Sequence, residues 1–176
     1  VALWVPAGHP EQVTARSKPF QIRTWEMQAG DWAALLKVDA VQDVMGQLIT
    51  AVVDKVQRTG WNHKDGNEIP ANPRYDIPSL LACLADDPAI KSDYTPASVR
   101  ASRQRLSAYD ARPLFGAEGT SLADLLKAGR LSVLLFSGVP ADVRLVVFYL
   151  TLRKLLQSRA RANSAPNTLA LGLPCD

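Results

Sequence analysis

The sequence predicts an α/β fold interrupted by an all-helical block, and three stretches carry that prediction. Residues 131–136, LSVLLF, form a nearly continuous apolar run, the pattern of a parallel strand buried on both faces. A long helical pattern opens at Pro140 and Asp142, and a second apolar run follows at 168–173. Strand, helix, strand is the connection that builds a parallel sheet. In the first half, by contrast, Val41, Val44, Met45, Leu48, Ile49, Val52, Val53 and Val56 recur at helical spacing. On these patterns residues 1–30 are an N-terminal strand segment of the α/β core. Residues 31–112 are a helical insertion, and residues 113–176 are the C-terminal α-β-α-β part of the core.

Taken in order, residues 1–5 read as a short buried strand stopped by Pro6 and the Gly8-His9-Pro10 turn. Residues 19–27 look extended, with Phe20, Ile22 and Trp25 as apolar members. Asp31 is the expected N-cap of a short helix over 32–37. The periodic stretch predicts a helix over 40–58, held by packing because its β-branched residues lower intrinsic propensity. Residues 59–75, rich in Gly, Asn and Pro, read as a loop. Pro78 suits the first turn of a helix through residue 85. Thr95-Pro96 opens another helix to about residue 109, burying Val99, Leu106 and Tyr109 and carrying Arg100, Arg103 and Arg105 on its other face. Ser121, with Asp124 three positions on, caps a short helix that Gly129 ends. The helix after Pro140 is apolar almost all round in its first half, and such a helix is normally covered on several sides. The chain offers few elements to cover it, which points to missing sequence or an obligate partner.

Composition narrows the function classes. The chain has 176 residues, 47% of them hydrophobic and 21% charged, an ordinary globular balance with enough apolar material for a core. The net charge is +3 and the acids and bases are interspersed, so no basic stripe marks a dedicated nucleic-acid binder. The two cysteines, Cys83 and Cys175, form no disulfide framework, and a reducing cytoplasm is the expected compartment. Pro140, Asp142 and Arg144 break the apolar 131–156 stretch below the roughly 20 residues that a bilayer-spanning helix needs.

The sequence carries no complete catalytic motif. It has no GxxxxGK[ST] phosphate loop, no GxGxxG and no GxSxG elbow. The histidines, His9 and His63, lie far apart with no ligand at i+3 or i+4, so His63, Asp65 and Glu68 read as a solvated loop rather than a metal site. Cys83 reads as core, and Asp86-Asp87 as the polar end of a helix. Arg153, Lys154, Arg159 and Arg161 read as cations placed near a helix C-terminus, where they favour the dipole. Trp4, Trp25 and Trp32 read as core or hinge residues, and Trp61 as a loop aromatic. No residue is therefore assigned a catalytic, cofactor-binding or metal-ligating role. Arg100, Arg103 and Arg112 are the candidate nucleic-acid contacts.

The order of the segments resembles one family. PFQIRTWEM at 19–27 followed by GDWAALL at 30–36 is similar to the stretch after the second sheet strand of HerA/FtsK-like DNA-translocating ATPases. LFG at 114–116 and SLADLLKAGRLSVLLF at 121–136, with the helix behind it, resemble the segment that follows in that family. These are packing patterns spanning most of the chain, not catalytic signatures. The resemblance implies a partial RecA-like parallel sheet with a helical insertion, from a protein assembled as a ring and driven along DNA by ATP and Mg²⁺. It sets the phosphate loop ahead of Val1. APNTLAL at 165–171 looks like the approach to the Mg²⁺-holding strand, but the run continues GLPCD without the family's Asp-Glu ending.

The leading expectation is thus a truncated central segment of such an ATPase, inactive alone. ATP and Mg²⁺ belong to the parent, and DNA contact comes through the parent assembly. The alternative is a non-enzymatic interaction module that docks on a partner ATPase or another protein. A third reading is a DNA-binding accessory domain using Arg100, Arg103 and Arg112. The expected partners are another protein or further copies of the chain, and no membrane.

Overall fold

The structure, a computed structural model, describes residues 1–8, 14–125 and 129–164. It is mixed α/β with a small parallel sheet of three strands. The central strand is β1 (Ala2–Pro6), whose ALWVP sequence is buried along almost its whole length. It is flanked by β2 (Ser17–Phe20), in the register Leu3↔Ser17. On its other side it pairs with β7 (Ser132–Leu134), in the register Leu3↔Val133, and both pairings are parallel. A second parallel pair joins β3 (Ile22–Arg23) to β6 (Phe115–Gly116), bringing residues almost a hundred apart into register. There Gly119 lies so close to Arg23 that a Cβ would sit 2.7 Å from the Arg23 backbone nitrogen.

Between β3 and β6 the chain is mostly helical: α1 (Ala29–Leu36), α2 (Val44–Asp54), α3 (Ile77–Asp86), α4 (Pro88–Asp93) and α5 (Pro96–Asp110). Each helix start has a local cause. Asp76, Asp87 and Thr95 accept the N–H groups of Ser79, Ala89 and Ser98, and each is followed within two residues by a proline, which tolerates the first turn. α6 (Leu122–Leu125) begins as expected, with the Ser121 hydroxyl accepting the Asp124 N–H. α7 (Ala141–Ser164) is the longest element.

Several expectations are corrected. Gln28, not Asp31, caps α1; Asp31 is the third residue of the helix and closes a reciprocal capping box onto the Gln28 N–H. α2 starts at Val44 because Asp39 folds the chain before it, accepting the N–H groups of Val41 and Gln42. Val41 and Val44 are therefore exposed, while Leu48, Ile49, Val52, Val53 and Val56 form the buried face. The same two N–H groups hold the Asp39 carboxyl below its ordinary pKa. The helix ends in a π turn (Lys55–Thr59), closed by Gly60 at φ +80°. The 59–75 stretch is not all loop, because β4 (Trp61–Asn62) and β5 (Glu68–Ile69) pair antiparallel and bury Trp61 in the core. β7 is shorter and less buried than the apolar run suggested. Its three residues are half-buried and Leu131 and Leu135 are exposed, since among the described residues only β1 pairs with it. The strand expected over 168–173, like His9, Cys175 and Asp176, lies outside the described residues.

A buried hydrogen-bond chain ties the strand segment to the helical block. The Trp32 indole donates to the Tyr75 hydroxyl (3.0 Å), which donates to the Met27 carbonyl (2.9 Å). The Thr24 hydroxyl donates to the Tyr75 carbonyl (2.7 Å). Desolvation pushes the Tyr75 phenol up to about 12. α1 packs on both α2 and α7, so it is the hinge between the helical block and the sheet layer.

Candidate functional site

The first half of α7 presents apolar side chains on every side. Val143, Val146, Val147 and Leu150 face the core, while Leu145, Phe148, Tyr149 and Leu156 remain 71%, 59%, 58% and 70% exposed. Burying all of them needs more neighbours than the described elements supply. One flank of this outer face borders α1, and between the two helices runs a cavity of about 610 Å³. Its walls are Gly30 and Ala34 on α1 and Leu145, Phe148, Tyr149 and Leu152 on α7. That volume falls within the range of real binding sites, and apolar walls with few polar groups are what such sites show.

The polar part of the groove is Gln28 and one ion pair. Both carboxylate oxygens of Asp31 meet Arg153, Oδ1 at 2.7 Å and Oδ2 at 2.7 Å, a bidentate fork with the side chains 3% and 17% exposed. Asp31 also accepts the Gln28 N–H at 2.6 Å. Arg153 also donates to the Glu26 carbonyl at 3.2 Å and lies over the Tyr149 ring at 5.7 Å. Every strong valence of the pair is used within the chain. It therefore anchors α7 to α1 and leaves the groove free to take up apolar surface.

Its place in the sequence predicts that Arg153 serves the C-terminus of its helix. It lies instead in the middle of α7, and its partner is a carboxylate 122 residues away. Nothing in the local sequence of either residue signals that pairing. Asp86-Asp87 is corrected likewise. Asp87 is buried and holds Lys55 at 2.8 Å, joining the π turn to the α3–α4 junction. Asp86 stays at the surface with Lys64 at 3.0 Å, which holds its carboxyl down and the lysine up. Cys83 is core as expected, with burial pushing its thiol up to about 12.

No family model and no curated protein matches this sequence.

Arg100 and Arg103 are exposed on α5. Arg112 follows the end of that helix, roughly 18 Å from Arg100 at 1.5 Å per residue, half-buried over the Tyr109 ring at 5.1 Å. Arg105 is exposed as well, and it donates to the Leu36 carbonyl at 3.1 Å. His63 sits between Asp65 (3.1 Å) and Asp86 (3.6 Å), so it is less solvated than its loop composition suggested. Among the described residues no group of three or more His, Cys, Asp or Glu is arranged to hold a metal ion. The N-termini of α1, α3 and α4 are closed within the chain by the carboxylates of Asp31, Asp76 and Asp87. No helix among the described residues is long and apolar enough to cross a membrane.

Proposed function

We propose that this chain is a non-catalytic part of a RecA-type, HerA/FtsK-like DNA-translocating ATPase core, contributing sheet and protein-contact surface rather than reacting groups. The observation that supports it is the parallel β2-β1-β7 order, with a mostly helical block between the first strands and β7 and a long helix after β7. ATP and Mg²⁺ enter this reading through the parent assembly. Reading the coding DNA on both sides of the segment in all three forward frames tests it. A GxxxxGK[ST] before the segment and an apolar strand ending in Asp-Glu after it are the expected result. Neither element, or ATP turnover by the purified chain alone, overturns it.

A second reading, a protein-docking module without a motor role of its own, is favoured by the apolar groove between α1 and α7. The two readings share the groove as the contact surface and differ in what surrounds the chain. A third, DNA contact through Arg100, Arg103 and Arg112, rests on the exposure of Arg100 and Arg103 on α5. It requires DNA affinity that falls steeply with salt and drops further on Arg100→Ala/Arg103→Ala. Salt-insensitive or absent binding removes it.

A further inference from the structure

We propose that the cavity between the C-terminal end of α1 and the end of α5 binds a small phosphate monoester. The proposal goes beyond the readings above, and this site shares no lining residue with the groove between α1 and α7.

The cavity holds about 320 Å³, the lower end of the range for small-molecule sites. Three cations line it: Lys37 at the end of α1, Arg105 on α5, and Arg112 just past the end of α5. Among the described residues that line it, none is acidic. Leu36, Ala108 and Tyr109 supply apolar wall, so the site suits an anion that carries a small apolar body.

Lys37 stands where the backbone favours glycine. It ends α1 at φ +58°, and among the described residues no other non-glycine lies in the left-handed region. Glycine takes that conformation freely, whereas a larger residue is strained there. The strained position puts an ammonium group on the cavity wall.

The carbonyls at a helix C-terminus repel anions, but here each of the last four of α1 has a donor. The Lys37 N–H serves Ala33 and Ala34, the Tyr109 hydroxyl donates to the Leu35 carbonyl at 2.9 Å, and Arg105 donates to the Leu36 carbonyl. A guanidinium has about five N–H donors, and the Leu36 contact engages one nitrogen of Arg105. Arg112 lies over the Tyr109 ring at 5.1 Å, and that ring is set edge-on against Phe115 at 5.7 Å. Both forks are thus held in place before a ligand arrives, and a fork matches phosphate geometry.

Charge selects the kind of phosphate. A monoester carries about −1.5 to −2 at neutral pH, whereas each phosphate of a nucleic-acid backbone carries roughly −1. Three cations on one small cavity favour the more highly charged group. Arg100 and Arg103 lie roughly 140–160° around α5 from Arg105, at about 100° per residue. A nucleic-acid strand tracking those two arginines therefore turns away from this cavity.

The test titrates the full chain calorimetrically with phenyl phosphate and with the diester methyl phenyl phosphate. Phenyl phosphate is expected to saturate one site, at least about tenfold more tightly than the diester, with inorganic phosphate displacing it. Lys37→Gly removes the ammonium and relieves the left-handed strain. It is expected to weaken binding at least about fivefold while the melting temperature holds or rises. Arg112→Gln, which keeps a planar group beside Tyr109, is expected to weaken binding by a similar factor. The proposal is overturned by an absence of saturable binding, by equal or tighter binding of the diester, by failure of inorganic phosphate to compete, or by indifference to either variant. It is also overturned if a thymidine oligonucleotide displaces phenyl phosphate and Arg100→Ala/Arg103→Ala weakens that oligonucleotide as much as Arg112→Gln does. The surface then belongs to DNA contact. The flanking-DNA test of the ATPase reading is independent of all these, so either idea can fail without the other.

Discussion

Replacing Arg153 with alanine strips the Asp31 carboxylate of its cation while the carboxylate stays 3% exposed. Breaking a buried ion pair from one side costs about 3–5 kcal/mol, because an uncompensated charge remains in a poorly solvated place. Two features place this pair at the lower end. Arg153 is itself 17% exposed, and Asp31 keeps its 2.6 Å bond from the Gln28 N–H after the substitution. The expected loss is therefore about 3 kcal/mol, which for a chain of this size lowers the melting temperature by roughly 6–12 °C. Urea unfolding followed by circular dichroism and tryptophan fluorescence measures it, with Asp31→Asn/Arg153→Met as the companion. The double variant removes both charges, keeps an oxygen for the cap and retains most of the packing volume, so it is expected to lose far less than the single one. A loss under about 1 kcal/mol for Arg153→Ala, the value of an exposed pair, would refute the claim that this contact locks α7 to α1.

Buried groups carry four further predictions. Tyr75→Phe leaves the Trp32 indole N–H and the Met27 carbonyl without the hydroxyl between them, an expected loss of about 1–3 kcal/mol in the same urea assay. The Tyr75 phenol, raised from 10.0 to about 12, stabilises the fold fully below pH 10. That contribution is lost as pH rises from 10 through 12, so the wild type should lose stability across this window and Tyr75→Phe should lose less. In a Cys175→Ser background, Cys83 should resist a thiol reagent at pH 8 until the protein unfolds, because its thiol is buried and titrates near 12; labelling within seconds in the native state would contradict its burial. Gly46→Ala sets a methyl 1.9 Å from the Asp39 carbonyl oxygen, a backbone atom that cannot swing away, and should cost roughly 1–3 kcal/mol by thermal melting.

Local pattern was the legible layer. The seam at Leu48, Ile49, Val52, Val53 and Val56 predicted a helix and its buried face, and Pro78, Thr95-Pro96 and Ser121 predicted helix starts, because those signals act over one or two turns. The over-apolar first half of α7 was legible too, and it led to the groove. Boundaries failed where a side chain competed with the pattern. Asp39 withdrew Val41 from α2, and Asp31 closed its capping box from the third position of α1 rather than from the N-cap.

By itself, then, the sequence determined the α/β class, the helices α1, α2, α3 and α5 of the central block but not α4, the core role of Cys83 and the excess apolarity of α7. Periodicity, caps and hydrophobic runs are properties of neighbouring residues, and they survive folding nearly unchanged. Tertiary structure alone decided that Trp61 is core and that Asp87 is buried against Lys55. It also decided that Trp32, Tyr75 and Met27 share one hydrogen-bond chain, and that Asp31 and Arg153 meet across 122 residues to hold the groove together. Those contacts depend on where two helices cross, and the crossing is set by how every side chain in the core packs at once.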